Sequence, residues 1–188
     1  MQSIAEAAHK AGAKVGFDLA HAAGNVPLQL HVWNADFACW CNYKYLNGGP
    51  GAVGAAFIHE RYHNDLSLQR FAGWWGYEKN TRFKMEKGFV PITTAEGWQL
   101  STPSPILYAC LRASLEIFDA VGWENIQIKK DQLNAWLWFL LDELNRQQNG
   151  QVLECITPRQ EKGCQVSLLM LQKGREVFNE LTNKGIIT

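Results

Sequence analysis

Apolar residues in the first third of the chain fall in short bursts between glycine and polar breakers, whereas those after Ser104 recur at helical spacing. Residues 2–11 predict a helix without a clear preceding cap, stopped by Gly12. Three apolar runs follow, Lys14 to Leu19, Asp36 to Cys41 and Ala52 to Ile58, and their lengths and flanking breakers predict buried strands. A helix followed by several buried strands points to an α/β sheet.

Beyond Ser104 the pattern is different. Pro105 suits a first helical position, and Leu107, Leu111, Leu115 and Phe118 share a stripe that runs up to Gly122. A further helix is predicted with Leu133, Trp136, Leu137, Leu140 and Leu144 on one stripe, ended by Gly150. Strand-like runs at 151–156 and 164–170 flank a polar stretch, and a last helix spans 174–183. This region reads as a small α+β unit. Gly185-Ile186-Ile187-Thr188 resembles the start of another strand, which, with the uncapped first helix, suggests truncation at both ends.

Composition narrows the classes. The chain has 188 residues, 47% hydrophobic and 19% charged, with zero formal charge, which fits a soluble globular protein and gives no basic footprint for a nucleic acid. Five cysteines without a CxxC spacing support neither a disulfide framework nor a zinc knuckle, so reduced thiols and a cytoplasmic location are expected. No signal-peptide pattern opens the chain, and no apolar run reaches the roughly 18 residues of a membrane span.

Candidate chemistry concentrates in three pieces: Phe17-Asp18-Leu19-Ala20-His21, then Asn42-Tyr43-Lys44-Tyr45-Leu46, then the glycine-rich Gly48 to Gly54. Asp18 closes a strand, where a carboxylate needs a cation or donors, and a protonated pyridine nitrogen would be such a cation. Lys44 follows the next apolar run, where partial desolvation favours the neutral amine that forms an imine. His21 is placed to lie beside the carboxylate or over a ring. The glycines let backbone pass close to a ligand or a neighbouring subunit. A single Asp at a strand end is more often a cap, and a single Lys is usually solvated. Their order and spacing together favour pyridoxal 5′-phosphate held by Lys44.

These residues resemble a known family. DLAHAAGNVPL, WCNYKYLNGGPG, GWWGYE, TRFKM and WQLSTPSPIL are similar to kynureninases, fold type I pyridoxal-phosphate hydrolases related to the class V aminotransferases. The resemblance implies part of a large cofactor-binding domain over 1–103, with a mostly parallel sheet and helices. A connecting helix and an incomplete small α+β C-terminal domain would follow over 104–188. It implies Lys44 as the Schiff-base lysine, Asp18 as partner of the pyridine nitrogen and His21 as a cofactor neighbour. Tyr43 would contact the phosphate and assist proton transfer. Trp74 would reach the cofactor phosphate of a partner subunit in a homodimer, and Thr102 falls where animal members carry Asn. The substrate implied is L-kynurenine or its 3-hydroxy form, cleaved to L-alanine and an anthranilate. Family members are about twice this length, so the chain alone is expected to be inactive.

Other readings compete. A class V aminotransferase or cysteine desulfurase would use the same Asp and Lys. A non-catalytic dimerisation module is another possibility. His59-Glu60-Arg61-Tyr62-His63 matches the H-E-x-x-H zinc-protease pattern, which needs a helix to bring both imidazoles to one metal. The match directly follows a strand, which speaks for a solvated turn instead.

Overall fold

The computed structural model describes residues 1–148 and 151–188, and the chain divides into two compact units, Met1–Ile117 and Phe118–Thr188. The first unit opens with α1 (Gln2–Lys10), which buries Ala5 and carries His9 and Lys10 in its last turn, where the helix dipole favours positive charge. Gly12, at φ +76°, turns the chain toward the sheet.

That sheet has three strands in the order β1 (Gly16–Asp18), β2 (Phe37–Cys41) and β3 (Gly54–Ile58). β1 and β2 are parallel, with Asp18 opposite Cys39, while β3 runs antiparallel to β2. The sheet is therefore mixed at this point, where a mostly parallel one was expected. The 42–53 connection contains no helix, and such a link returns the chain antiparallel more readily than it crosses over.

Register divides the sheet into two faces. Phe17, Ala38, Trp40, Ala55 and Phe57 share a face that is buried or half-buried. The other face carries Asp18, Phe37, Cys39 and Ala56, all exposed, so the strands expected to be buried are covered on one side.

The amino ends of β1 and β2 are tied by Asp36, which is 2% exposed. Its Oδ2 accepts from the Val15 N–H at 2.6 Å and lies 2.9 Å from His9 Nε2, while Oδ1 accepts from the Tyr62 hydroxyl and lies 3.5 Å from Arg61. The Asp36 N–H in turn donates to the Val15 carbonyl at 3.0 Å. Burial works against ionisation, but the bonds from Tyr62, Val15 and His9 and the charge of Arg61 outweigh it and hold the pKa at about 2.

α2 (Pro105–Val121) begins at the predicted proline, and Leu111 is its buried residue, packed toward Gly48. Leu107 and Phe118 on the same stripe are half-buried, whereas Leu115 is exposed.

The second unit contains α3 (Trp123–Gln147), the antiparallel pair β4 (Leu153–Cys155) and β5 (Leu168–Met170), and α4 (Gly174–Asn183). The buried face of α3 is not the predicted one. Asn134, Trp138 and Leu141 are buried, while Leu133, Trp136, Leu140 and Leu144 remain exposed. The reason is polar: Asn145 Oδ1 accepts from the Val152 and Leu153 N–H groups, its Nδ2 donates to the Leu153 carbonyl, and Asn134 donates to the Gly163 carbonyl. A leucine stripe could not satisfy those backbone groups. Gly150, expected to end α3, lies outside the described residues.

The strand expected at 185–188 is absent. Gly185 takes φ +75°, and the Ile186 N–H bonds back to Leu181, so these residues cap α4 in a Schellman turn.

The Asp36 network generates the first prediction. Because its folded pKa lies below the ordinary carboxylate value of 3.8, its contribution is fully present above about pH 4 and is lost as pH falls through about 2. Denaturant titrations should show stability falling across that window. Asp36→Ala should cost about 2 to 3 kcal/mol at neutral pH and flatten that acid dependence.

Candidate active site

Parallel pairing puts the carboxyl ends of β1 and β2 on the same sheet edge, and this is where ligand crevices form in α/β proteins. Asp18 ends β1. One of its oxygens accepts from the Ala20 N–H at 2.9 Å, which orients the carboxylate at the strand end. It is exposed rather than buried, because it stands on the open face. His21 follows in the next turn and meets the Tyr45 ring edge-on at a centroid distance of 6.3 Å. That contact joins the Asp18 segment to the Lys44 segment.

Lys44 lies three residues past the end of β2 and is half-buried, its Nζ 5.9 Å from the centre of the Tyr43 ring. Among the described residues, neither Lys44 nor Asp18 takes part in a salt bridge. Tyr43 is 51% exposed, and the neighbouring Cys41 raises its pKa. The adjacent thiol is unbridged, as are the other four cysteines.

The backbone carrying Lys44 is closely restrained. Asn42, 3% exposed, accepts from Trp40 Nε1 at 3.0 Å through Oδ1 and donates to the Val53 carbonyl at 2.6 Å through Nδ2. Its own carbonyl accepts from the Gly48 N–H at 2.8 Å, and the Asn47 N–H donates to the Lys44 carbonyl at 3.0 Å. From α2, the Ser114 hydroxyl donates to the Leu46 carbonyl at 2.7 Å. Gly48 is required here because a Cβ would lie 2.9 Å from the Asn42 oxygen and from Ala52. Within the glycine-rich stretch, Gly48 thus serves internal packing. Neither Asn42 nor Ser114 stood out in the sequence, since an amide beside a strand end signals only a turn.

Trp74 and Thr102 lie on a separate segment. Trp74 packs edge-on against Phe83 at 5.4 Å, and Arg82 sits over both Trp74 and Trp75 while donating to the Trp75 and Tyr77 carbonyls at 2.8 and 2.9 Å. Arg82 is 9% exposed, so the TRFKM motif supplies the buried cation that shapes the GWWG turn. Thr102 is exposed in the segment leading to α2.

The H-E-x-x-H residues do not form a metal-binding helix. Glu60–Tyr62 make a single 3-10 turn, flanked by His59 and His63 in extended conformation. The His59 ring instead accepts from the Arg61 N–H at 3.2 Å and stacks on His31 at 4.8 Å. Burial, the Arg61 charge and His31 lower its pKa. Among the described residues, no three His, Cys, Asp or Glu side chains are grouped to hold a metal, and no helix is long and apolar enough to cross a membrane.

A family model described as aminotransferase class-V matches residues 1–188. The chain belongs to the class V aminotransferase family. Within it, the chain is similar to kynureninase of Flavobacterium psychrophilum, 48% identical over 190 residues that span 100% of this chain and 44% of that protein. The chain therefore spans under half the length of the curated relatives it matches. Among solved structures, it shares its fold with the apo cysteine desulfurase of Thermococcus onnurineus, at a TM-score of 0.70 and 18% identity over 100% of this chain and 44% of that one. A C-DES mutant with glycine covalently linked to its PLP cofactor matches at a TM-score of 0.66 and 20% identity, over 88% of this chain and 41% of that one. These likenesses agree with the α/β, fold type I architecture and the kynureninase resemblance read from the sequence.

Arg82 offers a test of how this class V site segment is held. Arg82→Met should red-shift tryptophan emission and speed amide exchange across 74–78 by about tenfold, as two donated bonds to carbonyls are lost.

Proposed function

We propose that the chain forms part of a pyridoxal 5′-phosphate enzyme that hydrolyses the Cβ–Cγ bond of L-kynurenine, and of its 3-hydroxy form, giving L-alanine and an anthranilate. The observation that carries this reading is the parallel pairing of β1 and β2, whose carboxyl ends lead into Asp18 and into the segment that bears Lys44. Similarity to kynureninases over the whole chain supports the substrate. Residues 1–103 would belong to the cofactor-binding domain and 104–188 to a connecting helix and small domain, in a cytoplasmic homodimer.

The donor set fits the cofactor. Asp18 would hold the pyridine nitrogen with the oxygen not engaged by Ala20, Lys44 the aldehyde carbon, and His21 the ring's surroundings. Tyr43 would contact the phosphate. In the homodimer, Trp74 would serve the phosphate region of the other subunit's cofactor, and Thr102 would be a further cofactor contact. Bound there, the cofactor supplies an electron sink for the carbanion formed at the substrate α-carbon.

The chain's own groups then divide the proton transfers. Lys44 Nζ takes the α-proton, its backbone fixed by the Asn42 and Ser114 bonds. Tyr43 Oη is the donor or relay when the β-carbon that remains with the alanine part is protonated. Asp18 would meet the ring nitrogen at the end of β1.

The test uses the chain within the whole protein. Lys44→Ala should abolish the visible cofactor absorption and lower anthranilate release roughly a thousandfold or more. Retention of both by that variant would overturn the proposal. The 188-residue chain by itself should release no anthranilate, and turnover by it would contradict that expectation.

A further inference from the structure

We infer that Asn42 is a positioning residue for Lys44, a neck clamp whose two side-chain bonds fix where the lysine amine stands. This rests on the reading of Lys44 as the cofactor lysine, and it adds a residue that acts only through Lys44.

The connection 42–53 leaves β2 and re-enters β3, and its first and last residues are joined by the Asn42 Nδ2 to Val53 carbonyl bond at 2.6 Å. A short loop pinned at its neck has little freedom to pivot. The other amide atom is engaged as well: Oδ1 accepts from Trp40 Nε1, so the amide orientation is set by one donor and one acceptor that cannot be exchanged. At 3% exposure, water does not compete for either bond. The backbone carbonyl of Asn42 then closes on the Gly48 N–H, enclosing Lys44 in a seven-residue turn from 42 to 48. Asn42 thereby holds both ends of the lysine's segment.

The clamp matters because the reacting amine must be held within a fraction of an ångström, and a displacement of about 1 Å can cost a hundredfold in rate. Asn42→Asp separates the two bonds. It keeps the acceptor for Trp40 and replaces the donor to Val53 with a carboxylate oxygen facing a carbonyl. Asn42→Ala removes both.

The experiment has two readouts on the full chain. The first needs no cofactor: amide exchange across 43–52 in wild type, Asn42→Asp and Asn42→Ala, with β1 and β2 as internal references. Both variants should exchange about tenfold faster across 43–52 with unchanged rates in the strands. The second is borohydride trapping of pyridoxal 5′-phosphate on lysines, read by peptide mass as the ratio of Lys44 to Lys87, an exposed lysine of the same unit. Both variants should lower that ratio about tenfold and change its pH profile, while strand exchange that stays at the wild-type rate separates this from general loss of stability. Unchanged loop exchange, or faster exchange with an unchanged Lys44 ratio, would overturn the inference. Failure of wild type itself to label Lys44 above Lys87 would instead sink the cofactor reading, leaving the exchange result to decide whether Asn42 clamps the loop.

Discussion

A buried carboxylate governs the geometry of the first unit. Asp36 joins the last turn of α1, the residue before β1, the residue before β2 and the turn after β3 through His9, Val15, Tyr62 and Arg61. The reciprocal backbone and side-chain bonds between Val15 and Asp36 fix the parallel register where the two strands begin. Register matters more than proximity, because a slip of one residue moves every side chain to the opposite face. With the strands started in this register, Asp18 comes out opposite Cys39 on the open face, at the edge where Lys44 follows. The site at one end of the sheet thus inherits its geometry from a polar knot at the other.

The same logic recurs around Lys44 and in the second unit: polar groups decide placement where apolar contacts are sparse. Asn42 and Ser114 hold the lysine loop, Arg82 holds the paired tryptophans, and Asn134 and Asn145 tie α3 to Gly163 and to the start of β4. Each bonds backbone groups that would otherwise be stranded away from water. The fully buried apolar set is correspondingly small, with Leu19 the largest side chain that is completely enclosed.

Two apolar surfaces remain open in the described residues. One is the sheet face bearing Phe37 and Cys39, and the other is the α3 stripe from Leu133 to Leu144. Sheets with parallel strands are ordinarily covered on both faces, and the relatives this chain matches are more than twice its length.

Several features were determined by the sequence alone. Breakers around short apolar runs marked β1, β2 and β3, Pro105 marked the start of α2, and Gly122 separated it from α3, because backbone restrictions at glycine and proline act locally. The Asp18, Lys44 and glycine elements carried the resemblance to the wider family, and GWWGYE, TRFKM and WQLSTPSPIL narrowed it to kynureninases. Tertiary structure decided what depends on partners distant in sequence. Helical periodicity offered Leu133 to Leu144 as the inner face of α3, but the hairpin's unpaired backbone groups selected Asn134 and Asn145 instead. The apolar Ile186 and Ile187 suggested a strand, yet Gly185 in the left-handed region turns the chain so that the Ile186 N–H caps α4. Asn42 was visible only as a polar residue before Tyr43 and Lys44. Its role required Val53 and Trp40 to be brought to either side of it, and spacing along a chain does not encode that arrangement.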